Sequence, residues 1–168
     1  MHLSELNQLS AEAAAAEFTK CCGSATWVAK MVSARPFRDE DHLFGEAHQA
    51  WSECSEADGL EAFTHHPKIG GMEELAKKFA DTSAWASGEQ ASVRQASTEV
   101  LEALAQGNTD YENKFGYIFI VCATGKSAQE MLDLLQQRLP NPPEVEIRIA
   151  MAEQMKITII RLKKLLNA

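Results

Sequence analysis

The run from Pro143 to the C-terminus constrains the fold more than any other part of the sequence. At about 100° per residue, its apolar residues form two stripes on opposite sides of one long helix. One stripe holds Val145, Ile149, Ala152, Ile159, Leu162 and Leu166, and the other holds Ile147, Ala150, Ile157 and Leu165. A helix that is apolar on two sides is buried on two sides. The sequence therefore predicts a core in which other helices pack around this one.

Capping and breaking residues predict those other helices. Side-chain oxygens that can cap a helix N-terminus precede four helix-forming runs, at Ser10, Ser24, Asp39 and Ser127. Stops are predicted at Arg35-Pro36, Gly59, Gly107-Asn108 and Pro140. A helix is also expected over residues 73–79, a long one from Ser87 to Gly107, and a short one over residues 111–116.

One run looks like a strand, from Tyr117 to Thr124 between two glycines. It has no partner strand, so we expect a buried extended or helical segment instead. The whole pattern predicts an all-α bundle of roughly eight helices. A chain of 168 residues suits one domain, so a single domain is expected over residues 1–168.

Charge and composition disfavour several classes of protein. The net charge of -8 disfavours binding to nucleic acid phosphates. The sequence contains no long uncharged apolar run, so no membrane span is expected. The chain starts without the pattern of a secretory signal and ends without a peroxisomal address, so a cytoplasmic location is expected. The four cysteines lack C-x-x-C spacing, which argues against a disulfide framework and against a zinc site.

Arg161 is the first candidate site residue. It projects into the second apolar stripe, between Ile157 and Leu165. A guanidinium keeps its charge there, so it needs an anion. An internal salt bridge with a glutamate, or a side chain long enough to reach water, would meet that need. The alternative is a substrate carboxylate or carbonyl held by two hydrogen bonds.

Glu89 is the second candidate, because it shares an inward helical face with Val93, Ala96 and Val100. A carboxylate in the first turn of a helix is also favoured by the helix dipole. Ser87 and Gln90 fit a capping box, which is a purely structural role. The sequence leaves the structural and the functional interpretation open.

The string HHPKIGG at residues 65–71 is the third feature. Proline disfavours a helix at His66, and the glycines allow a sharp turn after it. A histidine on such a turn is suited to acid–base chemistry near neutral pH, or it is merely exposed. A metal site built from His42, His48, His65 and His66 lacks ligand spacing and is not expected.

These motifs occur in one order together with three others, and the set resembles a known family. The others are CCGSATWVAKMVSARPF at residues 21–37, N-x-x-Y-x-x-K-F-G-x-x-F at residues 108–119, and the ending at residues 153–162. Together they resemble the 2-oxo-4-hydroxy-4-carboxy-5-ureidoimidazoline (OHCU) decarboxylase family over nearly the whole chain.

The resemblance implies an all-helical enzyme of urate degradation, often a homodimer, that converts OHCU to (S)-allantoin and CO2 without a cofactor. It implies that His66 is the acid–base catalyst and that Glu89 works beside it. The remaining residues that it places at the substrate are Pro67, Gln90, Phe119, Ile120, Val121, Cys122, Ala123 and Arg161. The small-molecule substrate is then the only partner besides a second copy of the chain.

The chemistry fits a cofactor-free site, because the ring C=N bond of OHCU can take up the electron pair that CO2 leaves behind. Two other classes stay open at this stage. One is a helical interaction module without activity, and the other is a metal-dependent hydrolase that uses the histidines.

Overall fold

The computed structural model describes residues 1–67 and 91–167, the second range with side chains from residue 98 onward. Within these ranges every regular element is a helix, and no strand forms. The eight helices are α1 (Leu3–Gln8), α2 (Ala11–Cys21), α3 (Ala25–Ala34), α4 (Glu40–Ser52), α5 (Glu56–Thr64), α6 (Ala91–Phe115), α7 (Ala128–Arg138) and α8 (Pro143–Asn167). The predicted all-α fold is confirmed. The helix expected over residues 73–79, and the start of the long helix at Ser87, lie outside the described residues.

The four predicted helix caps form. The side-chain oxygens of Ser10, Ser24, Asp39 and Ser127 accept hydrogen bonds from Ala13 N, Trp27 N, His42 N and Glu130 N at 3.1, 3.2, 2.7 and 3.2 Å. Each bond satisfies an amide that the first turn of a helix leaves without a partner. These starts were predictable because a cap depends on residues three apart in the sequence.

Two predicted helix stops are wrong. Gly59 lies inside α5 and Gly107 inside α6, which then continues without a break to Phe115. Both glycines make room for a packed side chain, since a Cβ on Gly107 would lie 2.4 Å from Leu135 Cδ2 and one on Gly59 would lie 3.1 Å from Met151 Cγ. The predicted helix over residues 111–116 is therefore the last part of α6.

The chain divides into two compact units, described separately. Unit 1 comprises Met1–His66, Ile120–Cys122 and Ile147–Ala168, and unit 2 comprises Pro67–Phe119 and Ala123–Glu146. A single domain over residues 1–168 stays a prediction. No helix in the described ranges has the length and apolar composition needed to cross a membrane.

Unit 1 packs its core around aromatic side chains. Helix α3 packs against α2, α4 and α5. The rings of Phe18 and Trp27 meet edge to face with centroids 5.9 Å apart, and both side chains are fully buried. Leu43, Ala47, Ala50 and Trp51 of α4 are all buried, as their shared helical face predicts.

Unit 2 is built on the pair α6 and α7. Leu104 and Leu135 are buried, and the lack of a side chain at Gly107 leaves the space that the Leu135 side chain occupies. Near the end of α6, Tyr111 donates a short hydrogen bond to Glu146, and Arg138 Nη2 lies 2.5 Å from Glu146 Oε2. All three side chains are buried, so this charged cluster belongs to the interior of the unit.

The two-stripe prediction for α8 is partly wrong. Ile147, Ala150, Leu162 and Leu166 are buried as expected, but Val145 is 41% exposed and Ala152 is exposed as well. Polar residues take buried positions on this helix, because Glu153, Gln154 and Thr158 each find a hydrogen-bond partner. Apolar periodicity therefore does not define the buried face of α8.

Candidate active site

His66 lies just beyond the end of α5. A capping box at Ser55 and Asp58 fixes the start of this helix, with Asp58 Oδ2 accepting from Ser55 N at 2.8 Å. At its other end, His66 N donates to Phe63 O at 3.2 Å, and Pro67 follows. The imidazole of His66 is half-buried. The helix thus ends at Thr64, two residues before the histidine that precedes proline.

Two residues of α8, Gln154 and Thr158, fix the hydrogen bonding of the His66 ring. The Thr158 hydroxyl donates its one proton to the carbonyl oxygen of Gln154 at 2.9 Å. It can therefore only accept from Gln154 Nε2, which lies 3.1 Å away. This orientation turns Gln154 Oε1 toward His66 Nε2, at 2.5 Å. An amide oxygen only accepts, so this contact fits the neutral ring that carries its proton on Nε2 and a lone pair on Nδ1.

Arg161 faces that lone pair. Its Nη2 lies 3.4 Å from His66 Nδ1, and its side chain is half-buried. Among the described residues, no carboxylate lies within 4.0 Å of the guanidinium. The internal salt bridge with a glutamate, which the sequence left open, is thus not found in this part of the chain. The pair presents a cation and a proton acceptor side by side.

Burial is the main electrostatic influence on His66. Removal from water lowers the pKa of the imidazole below 6.5, because the charged form loses more hydration than the neutral form. The hydrogen bond to Gln154 opposes this effect, while the charges of Arg161 and His65 add to it. The neutral, proton-accepting form of His66 is therefore favoured near neutral pH.

Two buried thiols neighbour this network. The Cys22 thiol lies near the Thr158 hydroxyl, and burial raises the pKa of this thiol to about 11. Burial raises the pKa of Cys21 to about 12, although the nearby charge of Arg161 opposes that rise. None of the four cysteines, all within the described part of the chain, forms a disulfide bond. Both thiols therefore stay protonated near neutral pH, and they belong to the buried core of unit 1.

The segment before α7 is anchored to the same helix as Gln154. Cys122 N donates to Glu153 Oε1 at 3.2 Å, and Glu153 Oε2 pairs with Lys156 Nζ at 2.5 Å. Ile120 and Cys122 are buried, as the sequence predicted for this run, but residues 118–123 form neither helix nor strand. Since Glu153 and Gln154 are consecutive, α8 positions residues 120–122 and His66 from adjacent places on one helix.

Two other predicted residues of this segment belong to unit 2. The Phe119 ring packs against Tyr111 with centroids 5.1 Å apart, and the Arg138 guanidinium lies 4.5 Å from its centre. Ala123 O accepts a hydrogen bond from Lys126 N at 3.0 Å in the turn before α7. The Phe119 side chain thus has a packing role within its own unit.

The structure brings together some of the predicted site residues. His66 and Arg161 are neighbours, and Ile120, Val121 and Cys122 lie in the same unit. Pro67 is exposed, and Glu89 and Gln90 lie outside the described residues. Sequence reasoning missed Gln154, Thr158 and Glu153. The available signal was the i, i+4 pair of Gln154 and Thr158 between Ala150 and Leu162, polar residues on a face that is otherwise apolar.

No three His, Cys, Asp or Glu side chains among the described residues are grouped so that they could hold a metal ion. The described part of the site therefore consists of an imidazole, a guanidinium, an amide and a hydroxyl. Such a set can accept or donate a proton and can bind an anion or a carbonyl oxygen. It defines a helical protein with a candidate acid–base site for a small polar ligand.

Comparisons with known proteins identify the family of the chain. The sequence matches the family described as OHCU decarboxylase over residues 7–163. It is 36% identical over 153 residues to the uric acid degradation bifunctional protein of Arabidopsis thaliana, covering 90% of this chain and 47% of that protein. It is 25% identical over 161 residues to the 2-oxo-4-hydroxy-4-carboxy-5-ureidoimidazoline decarboxylase of Haloferax volcanii, covering 95% and 93%.

A solved structure has the same fold. A crystal structure of OHCU decarboxylase in the presence of (S)-allantoin superposes with a TM-score of 0.70 at 35% identity, covering 90% of this chain and 98% of that one. The chain belongs to the OHCU decarboxylase family. It spans about half the length of the Arabidopsis protein and 32% of the bifunctional uric acid degradation protein of Bacillus sp. strain TB-90.

Proposed function

We propose that this chain decarboxylates OHCU to (S)-allantoin and CO2 without a cofactor. The observation that carries the proposal is the pairing of His66 Nδ1 with Arg161 at 3.4 Å, with no carboxylate from the described residues neutralising the guanidinium. Family membership and the solved relative with (S)-allantoin present support the same substrate class.

The substrate carries its own electron sink. One ring carbon of OHCU bears both the carboxylate and a hydroxyl, and it adjoins the ring C=N bond. When the bond to CO2 breaks, its electron pair moves into a new carbon–carbon double bond while the C=N pair moves onto nitrogen, which takes up a proton. A proton is then added to the carbon that bears the ureido group, and the hydroxyl loses its proton to become the carbonyl of allantoin. The net reaction consumes one proton and releases CO2.

His66 is proposed to take the hydroxyl proton through Nδ1. Arg161 would bind the oxygen that gains negative charge as this proton leaves, which stabilises the transition state more than the ground state. A role for Arg161 in holding the carboxylate would have the opposite effect, because it would stabilise the charge that the reaction must lose. The side-by-side placement of a base and a cation supports the first role.

The remaining assignments rest on the resemblance. Glu89 is proposed to complete the acid–base pair and to serve the ring carbon. Pro67, Gln90 and the backbone of residues 119–123 are proposed to surround the substrate, so that one face of the ring receives the proton. The chain is further proposed to act as a homodimer in the cytoplasm.

Circular dichroism of the product tests the function. OHCU is generated from urate by the two upstream enzymes, and the dichroism of the allantoin is followed with and without this chain. Uncatalysed protonation reaches both faces and gives no lasting signal, so we expect the signal of (S)-allantoin only with the protein. Full activity after dialysis against a chelator is expected. Activity that a chelator abolishes and a metal ion restores would favour the hydrolase, and no turnover at all would favour the interaction module.

A further inference from the structure

A chain of hydrogen bonds leads from the His66 ring into the interior of unit 1. It runs from His66 Nε2 to Gln154 Oε1 at 2.5 Å and from Gln154 Nε2 to Thr158 Oγ1 at 3.1 Å. Gln154 is 1% exposed and Thr158 is fully buried. The orientation of this buried amide bonds both of its ends, because its oxygen faces the ring nitrogen and its NH2 group faces the Thr158 hydroxyl.

We infer that Gln154, locked by Thr158, is a positioning residue that holds His66 in its Nε2–H tautomer, so that Nδ1 remains the proton-accepting nitrogen. This inference rests on the proposed function for its catalytic meaning, but the tautomer itself is a property of the folded chain. In this arrangement Gln154 acts through His66 and does not itself need to touch the substrate.

The Thr158 hydroxyl determines which end of the Gln154 amide faces it. The hydroxyl donates its proton to the Gln154 carbonyl oxygen at 2.9 Å, so it accepts a hydrogen bond from the amide NH2 group. Without the hydroxyl, the amide could rotate and present its NH2 group to His66 Nε2. The ring would then carry its proton on Nδ1, toward the Arg161 cation. Nδ1 would have no lone pair left to accept the substrate proton.

An amide acceptor also differs from a carboxylate in its effect on the ring. The charged groups of the described residues that influence His66 are Arg161 and His65, and both disfavour the imidazolium. Gln154 fixes the ring without adding a negative charge, so the neutral base persists. A glutamate at position 154 would keep the acceptor but stabilise the charged ring.

Nuclear magnetic resonance measures the tautomer directly. Protein labelled with ¹⁵N-histidine is examined at a pH where the imidazoles are neutral, and the His66 signals are assigned by their loss in His66→Asn. We expect Nε2 to carry the proton in the unaltered chain. In Gln154→Met and Thr158→Val we expect the Nδ1–H form to appear, and Thr158→Ser, which keeps the hydroxyl, restores the original pattern.

Kinetics provides the second measurement. Loss of a partner that orients a metal-bound histidine typically lowers activity by about 10- to 100-fold. By analogy, we expect kcat to fall by about that factor in Gln154→Met and Thr158→Val while KM changes less. Thr158→Ser should recover most of the lost kcat. Gln154→Glu should keep the tautomer and move the acidic limb of the pH profile to higher pH.

Different results would refute the inference about the His66 tautomer and the proposed function. An Nδ1–H ring in the unaltered chain overturns the inference, and so do an unchanged tautomer and kcat in both Gln154→Met and Thr158→Val. If the unaltered chain does not turn over OHCU, the proposed function fails, while the resonance experiment still decides the tautomer. If Gln154→Met does not fold, the isosteric Thr158→Val decides the question.

Discussion

His65 and His66 are adjacent, but their surroundings differ. The His65 side chain is exposed and lies over Gly23, where an added Cβ would come within 2.2 Å of the imidazole. His66 is half-buried and bonded to Gln154. Only His66 combines a fixed orientation with a nearby cation. The order HHP therefore places one histidine on the surface and one in the candidate site.

Substitution of the proposed acid–base pair should affect chemistry and not folding. General acid–base catalysis contributes about 100- to 10,000-fold, so His66→Asn and Glu89→Gln should each lower kcat by at least about 100-fold with little change in Tm. The double variant should be scarcely worse than the worse single one, because groups acting as a unit are not additive. His65→Asn is the matched control and should keep near-normal kcat. An essential His65, or near-normal kcat in both folded single variants, would refute the assignment.

The lowered pKa of His66 sets the direction of the pH dependence. A base must be neutral, so kcat/KM should decline in acid with a midpoint below 6.5. Folding should also lose stability as the pH falls from 6.5 through the lowered pKa, because the unfolded chain binds the proton first. Arg161→Met removes one of the charges that lower this pKa, so the kinetic midpoint should move to higher pH.

Arg161→Lys provides the control for charge. It keeps the cation but loses the planar fork, so it should raise KM while the fold survives and the midpoint moves less than in Arg161→Met. The dependence of kcat/KM on pH, measured for both variants, tests this difference. A higher Tm with unchanged kinetics in Arg161→Met would instead show that Arg161 is a dispensable structural residue.

At the scale of helices, the sequence predicted where helices begin better than where they end. The caps at Ser10, Ser24, Asp39 and Ser127 depend on local bonds, and all four form. Gly59 and Gly107 looked like stops because glycine weakens a helix by about 1 kcal/mol relative to alanine. Each instead lies under a side chain from another helix, a contact that no local pattern contains.

The same limit applies to the candidate site. Arg161 and His66 were identified because a charge on an apolar stripe and a histidine before proline are visible in the sequence. Gln154 and Thr158 were missed because polar residues on a helix are usually solvated. Their burial depends on His66 and on the Cys22 thiol, which lie 88 and 136 residues earlier in the chain respectively.

A pair of glycine substitutions tests the packing of α6. In Gly107→Ala the new Cβ would meet fully buried Leu135, and overpacking of this kind costs about 1–3 kcal/mol. That cost should outweigh the gain in helix propensity, so the urea midpoint should fall. Gly45→Ala in α4 is the control, because nothing lies within 4 Å of its Cβ, and it should gain up to about 1 kcal/mol. Equal stabilisation by both substitutions would contradict the packing described for Gly107.

At the scale of the whole molecule, neither unit is a continuous piece of chain. Unit 1 takes its residues from three separate segments, and α8 begins in unit 2 at Pro143 and continues in unit 1 from Ile147. A unit assembled from distant segments loses part of its core when the segments between them unfold. We therefore expect the chain to unfold in a single transition, as one domain would.

Glu146→Gln in a Trp85→Phe background tests this expectation. Removing one partner of a buried ion pair costs about 3–5 kcal/mol, and Glu146 is the buried partner of Arg138 in unit 2. The tryptophans that remain, Trp27 and Trp51, both belong to unit 1. We expect their fluorescence midpoint to fall together with the far-ultraviolet dichroism. A fluorescence midpoint that stays in place would show that the units unfold independently.

The burial of Cys21 and Cys22 has a practical consequence for the shelf life of the protein. With pKa values of about 12 and 11, fewer than about one in a thousand of these thiols is ionised at pH 8, and only the thiolate attacks an oxidant or an alkylating reagent. Half-buried Cys54 should be the first to react with Ellman's reagent in the native protein. Cys54→Ser should remove that fast phase. Unfolding in urea should make the remaining thiols accessible to the reagent. A second thiol reacting as fast in native Cys54→Ser would contradict this expectation. Samples stored under air without a reducing agent should accordingly keep their activity.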